Sequence, residues 1–169
     1  LGYERHLKTR TWGAEVFPGS SVPNAMVQLS PVTQFRSGAG YQYEDTVIYG
    51  FSHTNKGHWN LLHLPVLPVT GNVSSGDYAS TYSHSNESVR PGYYQVFHER
   101  YGVNAELTST LRCAYHKYTF RPDDDKKVLV DITRTNNGVR DWSIQKVDDY
   151  TFSGNQDAEG NIRFYAVSN

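Results

Sequence analysis

Residues 93–120 read "YYQVFHERYGVNAELTSTLRCAYHKYTF", and their alternation decides the fold class. Val103, Ala105 and Leu107 alternate with Asn104, Glu106 and Thr108, the period-two pattern of a strand with one buried face. In the next run, Ala114, His116, Tyr118 and Phe120 fall on one face, and Cys113, Tyr115, Lys117 and Thr119 on the other. Tyr93 to His98 is aromatic on both faces. Together with Lys127 to Ile132, these segments predict a meander of three or four antiparallel strands.

The pattern extends in both directions. Further strands are expected at Ala25–Leu29, Thr46–Phe51, Asp141–Val147 and Asn161–Val167. Leu61 to Val69 is apolar but carries Pro65 and Pro68, so it should be an edge or a bent segment. Turn chemistry lies between the runs: Ser37-Gly38-Ala39-Gly40, Ser74-Ser75-Gly76-Asp77, Arg90-Pro91-Gly92, Asn136-Asn137-Gly138 and Glu159-Gly160-Asn161. Pro122-Asp123-Asp124-Asp125 is a further solvated turn; it lacks the spacing of a calcium loop. No window combines apolar residues at i, i+3, i+4 and i+7 with caps, so little helix is expected. The fold class is all-β, an antiparallel sandwich or barrel, in a single domain over residues 1–169.

Composition narrows the partners. A formal charge of −1 gives no whole-chain bias toward nucleic acid or an anionic membrane. No apolar run is long enough to span a bilayer as a helix. The single cysteine, Cys113, cannot form an internal disulfide, and its strand pattern reads as a buried, inert thiol. The first residues carry neither an initiator Met nor the apolar core of a signal peptide, which is the expectation for a piece of a longer gene product.

The densest chemistry lies in "IYGFSHTNKGHWNLLHLP", residues 48–65. His53, His58 and His63 are five apart, not at a helical metal spacing, and no carboxylate or thiol pattern joins them. No nucleophile elbow occurs, and the acidic pairs Glu44-Asp45 and Asp148-Asp149 point to opposite faces when extended. Trp59, after Gly57, has two readings. Its indole can take the apolar face of a pyranose while His58 and Asn60 serve hydroxyl groups, or it can pack its own loop onto the sheet.

Three segments carry a resemblance: "VFPGSSVPNAMVQLSP" (16–31), "GYQYEDTVIYGFSHT" (40–54) and "PGYYQVFHERYGVNAELTSTLRCAYHKYTF" (91–120). In order and in motif they resemble the N-terminal region of the family 92 glycoside hydrolases, calcium-dependent exo-acting α-mannosidases. The resemblance implies a β-sandwich of the supersandwich type found with galactose mutarotase, followed by an (α/α)6 catalytic barrel. That barrel would supply the acid, the base and the calcium ligands. The sandwich would pack on it and lend a loop to the mannose site. No catalytic residue, metal site or cofactor is then expected within this chain. The barrel of the same polypeptide and mannose-containing glycans are its expected partners. A bacterial periplasmic or secreted setting follows from the same resemblance.

The matching motifs carry over Gly19, Ser20 and His53 as residues near the sugar, and the loop after them adds His58, Trp59 and Asn60. Here the chain departs from the family pattern: Asn55 stands where a second histidine is common, and Val22-Pro23-Asn24-Ala25 replaces the usual Phe-Gly. A stand-alone carbohydrate-binding module or lectin is the alternative from another class. A small histidine-metal enzyme on a β-barrel is a third.

Overall fold

A computed structural model describes residues 17–56 and 59–169. In chain order its strands are β1 (Ser30–Val32), β2 (Val47–Ile48), β3 (Gly50–Ser52), β4 (Asn55–Lys56), β5 (Trp59–Asn60), β6 (Val66–Thr70), β7 (Ser80–Thr81), β8 (Glu87–Arg90), β9 (Tyr93–His98), β10 (Val103–Ser109), β11 (Ala114–Thr119), β12 (Lys126–Val130), β13 (Asp141–Lys146), β14 (Thr151–Ala158) and β15 (Gly160–Val167). One short 3-10 turn, His84–Asn86, is the only helical element among the described residues. None of these elements is a helix long and apolar enough to cross a membrane.

Two four-stranded antiparallel sheets form the sandwich, in the orders β1-β3-β6-β12 and β11-β10-β9-β8. The alternation in residues 93–120 becomes the inner face of the second sheet. Tyr94, Val96, Val103, Ala105 and Leu107 are all buried there. Across from them lie Phe51, Leu67 and Val69 of the first sheet, and Leu29, Ile48, Tyr78 and Tyr82 close the same cluster. Apolar burial of this kind is the main driving force of the fold, at roughly 25 cal/mol per Å² removed from water. A third sheet, β13-β14-β15, and the ribbons β2-β7 and β4-β5 complete the molecule.

Several expectations are corrected. The meander runs from β8 to β11, and β12 leaves it to pair with β6 in the other sheet. Ala25–Leu29 is not a strand: its amides bond singly to scattered partners, Met26 to Leu111 O and Gln28 to His53 O, and pairing starts only at Ser30. Thr46–Phe51 splits into β2 and β3, which join different ladders. Gly50, the first residue of β3, has φ +150°, and an added Cβ there would stand 3.2 Å from Val66 N and O. Cys113 is exposed in a tight turn, where its amide donates to Thr110 Oγ1 (3.1 Å).

The apolar run at Leu61 does not start a strand either. Leu62 and Leu64 hold φ of 56° and 50°, a left-handed conformation that L side chains rarely take, and both are buried. Such residues cost roughly 1–3 kcal/mol each and persist only where their surroundings fix them. Here the fixing groups are buried side chains. Asn60 Oδ1 accepts from Leu62 N (2.9 Å), and Gln156 Oε1 accepts from Leu64 N (3.0 Å). His53 Nδ1 lies 2.9 Å from Leu64 O, and the Asn136 amide donates to Leu61 O (3.1 Å). β6 begins just beyond, at Val66, which pairs with Phe51 of β3. Pro68 lies past the end of β3, where β6 has only β12 to pair with.

Asn136 also ties this segment to the 37–40 turn: its side-chain amide donates to Ser37 O (2.8 Å) and Asn60 O (2.7 Å), and its Oδ1 accepts from Ser37 N (3.1 Å). Asn136→Ala leaves these buried groups unpaired, at roughly 1–3 kcal/mol for each one that water does not reach. Urea unfolding is expected to show a loss of at least about 2 kcal/mol for Asn136→Ala, and within about 0.5 kcal/mol of wild type for the exposed Asn161→Ala.

Candidate functional site

Of the candidate residues, His53 and Asn60 lie where the 61–65 segment meets the end of β3, whereas Gly19 and Ser20 lie apart, against Leu29, Gly92 and Ser109. His53 follows β3 directly. Its Nδ1 faces a carbonyl, Leu64 O, which can only accept, so the ring proton sits on Nδ1. Its Nε2 lies 3.0 Å from His116 Nε2 on β11, and His116 Nδ1 lies 2.8 Å from Tyr118 OH. Burial is the main cause holding His53 neutral, lowering its pKa to about 4. With that ring neutral, every donor is assigned: Tyr118 O–H donates to His116 Nδ1, His116 Nε2–H to His53 Nε2, and His53 Nδ1–H to Leu64 O. Burial and the neighbouring His53 also hold His116 well below the usual histidine range.

This chain of rings rests on a buried aromatic base. Phe51 packs against Tyr94, His98 and His116, with centroids 5.5–6.2 Å apart. His98 is buried, and neither of its ring nitrogens has a partner among the described residues. Desolvation lowers its pKa to about 3. His63 is buried too, with Nδ1 2.7 Å from Thr54 Oγ1, and burial lowers its pKa. Nothing here has the form of a metal cage: among the described residues, no three His, Cys, Asp or Glu side chains cluster as ligands.

The loop expected to carry the sugar contacts is a hairpin. β4 and β5 pair Asn55 with Asn60 and Lys56 with Trp59. His58 lies outside the described residues. Trp59 is half-buried at the hairpin's end. Lys56 makes an exposed ion pair with Glu159, at 3.1 Å, in the turn between β14 and β15. Such surface pairs contribute little, about 0–1 kcal/mol.

Asn60 departs from expectation. It is fully buried, and its amide is committed to Ser52 Oγ (3.3 Å), Leu62 N and Ala39 O (3.2 Å). It shapes the backbone and has no face for a sugar. Ser20 is likewise buried, its Oγ 2.8 Å from Gly92 O and 3.0 Å from Ser109 Oγ, which pins the N-terminal segment to the second sheet. Gly19 is required by closeness: a Cβ there would lie 1.5 Å from Leu29 O. Its sequence motif is therefore one of packing. Of the candidates in the described residues, Trp59 alone presents a large aromatic surface in a projecting loop.

Two buried carboxylates escaped the sequence reading. Glu87 points inward from β8 and accepts from Tyr94 OH (2.7 Å) and Tyr41 OH (3.2 Å), with His84 Nδ1 at 2.6 Å. Asp131 accepts from Tyr78 OH and from Thr133 Oγ1 (2.8 Å). Continuing the period-two pattern back from Tyr94 through Val89 would have placed Glu87 on the inner face. Both carboxylates are fully engaged in the core and neither is poised for proton transfer to a substrate.

Residues 6–168 match the model for the glycosyl hydrolase family 92 N-terminal domain. A family 92 α-mannosidase from Bacteroides thetaiotaomicron, solved with mannoimidazole, matches at 30% identity over 89% of this chain, with a TM-score of 0.80. A family 92 inverting mannosidase from B. thetaiotaomicron VPI-5482 matches at 26% identity over 87% of this chain, with a TM-score of 0.73. The chain spans only 22% and 20% of those two structures. No curated protein matches the sequence.

The buried rings generate a pH prediction. His53 and His98 are neutral when folded, with pKa values of about 4 and about 3, and take up protons near 6.5 when unfolded. Their depressed pKa values make stability complete above pH 6.5 and lost as pH falls toward the folded values. Each contributes up to about 1.4 kcal/mol per pH unit within that window. Urea unfolding at pH 7.5, 6, 5 and 4.5 is expected to show a steady decline, shallower in His98→Phe. Equal stability at pH 7.5 and 5 would contradict the assignment.

Proposed function

The chain belongs to the glycosyl hydrolase family 92 N-terminal domain family, and from that membership we propose that it completes the sugar site of an exo-acting α-mannosidase without performing the chemistry. The observation that carries the reading is the family match joined to the share of the relatives this chain spans, about a fifth. An inverting glycosidase needs a protonated carboxylic acid on one side of the sugar and a base-activated water on the other, roughly 6.5–9.5 Å apart. The buried carboxylates described above are each held by core hydroxyls and do not offer such a pair. The acid, the base and the calcium implied by the family resemblance belong, on this reading, to a downstream barrel on which the sandwich packs.

The role left to this chain is to shape the site. The hairpin of β4 and β5 would present Trp59 at the mannose or leaving-group position, and His58, its neighbour in sequence, is proposed for the same site. His53 and Asn60 act as the scaffold that holds the 61–65 segment, while Gly19 and Ser20 fix the N-terminal segment against the rest of the sandwich. A half-buried indole on a two-residue strand is suited to this, because an aromatic ring that keeps part of its surface accessible can take the apolar face of a pyranose. A glycan substrate of this kind fits a bacterial periplasmic or secreted enzyme.

Two measurements test the proposal. The purified chain alone should not turn over an aryl α-mannoside with or without calcium, whereas the longer gene product should. In that longer product, Trp59→Ala is expected to lower kcat/KM about tenfold, the equivalent of roughly 1–2 kcal/mol for an aromatic contact, with an unchanged melting temperature. Mannoside turnover by the chain alone would overturn the reading. So would mannoside binding by the isolated chain with no enzyme downstream, which would make it a lectin-like module.

A further inference from the structure

Asn137-Gly138 is the one Asn-Gly pair in the sequence, and every other asparagine from Asn24 to Asn161 is followed by a residue that carries a side chain. The pair lies in the turn between β12 and β13, and both residues are exposed. Gly138 holds φ +82°, and a Cβ added there would meet nothing within 4 Å. Its amide donates no backbone hydrogen bond among the described residues. Glycine's freedom lets the chain swing that amide toward the side chain before it, where a Cβ would crowd the approach. The preceding residue is firmly held. Asn136 is buried, its N donates to Leu61 O (3.1 Å), and its side-chain amide donates to Asn60 O (2.7 Å). Asn137 Nδ2 donates to Glu159 Oε2, and Glu159 Oε1 lies 3.1 Å from Lys56 Nζ. One exposed asparagine thus sits between the anchor of the 61–65 segment and the carboxylate that pairs with the β4–β5 hairpin.

We propose that Asn137 is a site of spontaneous deamidation, and that its isoaspartate product loosens the 61–65 segment. The Gly138 amide gives up its proton, and its nitrogen attacks Asn137 Cγ. An N–Cγ bond forms, the Cγ–Nδ2 bond breaks, and Nδ2 takes up a proton and leaves as ammonia. Water then opens the five-membered imide. Cleavage of the new N–Cγ bond leaves aspartate with the backbone unchanged. Cleavage of the bond from that nitrogen to the Asn137 carbonyl carbon leaves isoaspartate, with the backbone running through Cβ and Cγ.

The two products differ in effect. Aspartate puts a carboxylate where an amide donated to Glu159, but the contact is exposed, and surface charge pairs change stability little. Isoaspartate adds a methylene to the main chain directly after Asn136, inside the turn that Thr135 Oγ1 closes on Gly138 O (2.9 Å). The lengthened turn pulls on Asn136, whose bonds hold Leu61 O and Asn60 O. Leu62 and Leu64 keep positive φ only while such partners stay in place. The reaction is independent of any catalysis downstream.

Incubation of the 169-residue chain at pH 8.5 and 37 °C, with peptide mapping by mass spectrometry at intervals, tests both parts. The peptide holding Asn137 is expected to gain the mass difference between amide and acid at least about tenfold faster than those holding Asn72, Asn86 or Asn161, because only Asn137 precedes a residue without a Cβ. At pH 6.5, where less of the amide loses its proton, conversion should slow. In the fraction that ion exchange separates and fragmentation identifies as isoaspartate, hydrogen exchange over 60–66 is expected to be at least about tenfold faster than in the unaged chain, with 93–109 unchanged. Asn137→Ser should age without either change. Conversion at Asn137 no faster than at the other asparagines overturns the site. An isoaspartate fraction that exchanges over 60–66 at the original rate overturns its link to the segment, as does equal loosening of aged Asn137→Ser.

Discussion

Within the five residues Leu61 to Pro65, Leu62 and Leu64 hold a backbone that their own side chains disfavour, and much of the molecule is arranged to keep them there. Leu62 and Leu64 sit at positive φ inside the core. Their carbonyls and amides are taken up by Asn60, Gln156, His53 and Asn136, and Asp131 N donates to Pro65 O at 2.9 Å. These partners come from the hairpin, the third sheet, the end of β3 and the loop after β12. A segment tied to so many parts of the chain cannot relax without loosening all of them. The strain is local, and its compensation is spread across the fold.

That arrangement accounts for the character of the site. The hairpin bearing Trp59 springs from Asn60, whose amide is spent on the backbone. The first sheet is joined to the second by the chain from Leu64 O through His53 and His116 to Tyr118. Groups that read as ligands in the sequence are therefore mostly struts. What they support is a rigid platform with one aromatic ring at its rim. Binding groups work best when their supporting shell is fixed, and the buried histidines and asparagines supply such a shell. Their cost is sensitivity to acid, because the rings hold this geometry only while neutral.

The second sheet was legible because alternation is strict in Val103–Thr108 and again in Ala114–Thr119, and the faces assigned to β11 are the ones observed. The family resemblance was legible too, from motifs whose residues now have structural reasons: Gly19 for a close backbone approach, Ser20 and His53 for hydrogen bonds to backbone carbonyls. β14 was not legible. Its residues, Thr-Phe-Ser-Gly-Asn-Gln-Asp-Ala, are mostly polar, and they form a strand because β13 and β15 pair with them on both sides. The left-handed turn at Leu62 was hidden for a related reason. An apolar run predicts extension, and only partners as distant as Gln156 make the alternative stable. Asn60 was misplaced and Glu87 overlooked because local sequence does not report which polar side chains a fold turns inward.

The central claim is that this domain contributes Trp59 to a sugar site whose chemistry lies elsewhere in the polypeptide. The most direct test is a crystal structure of the gene product extended past Asn169, bound to a mannose-site inhibitor such as mannoimidazole. The account predicts the Trp59 ring within about 4 Å of the ligand or of the leaving-group position beside it, with no carboxylate of residues 1–169 touching the scissile bond. A ligand enclosed wholly by downstream residues, with Trp59 packed onto its own sheet, would contradict it.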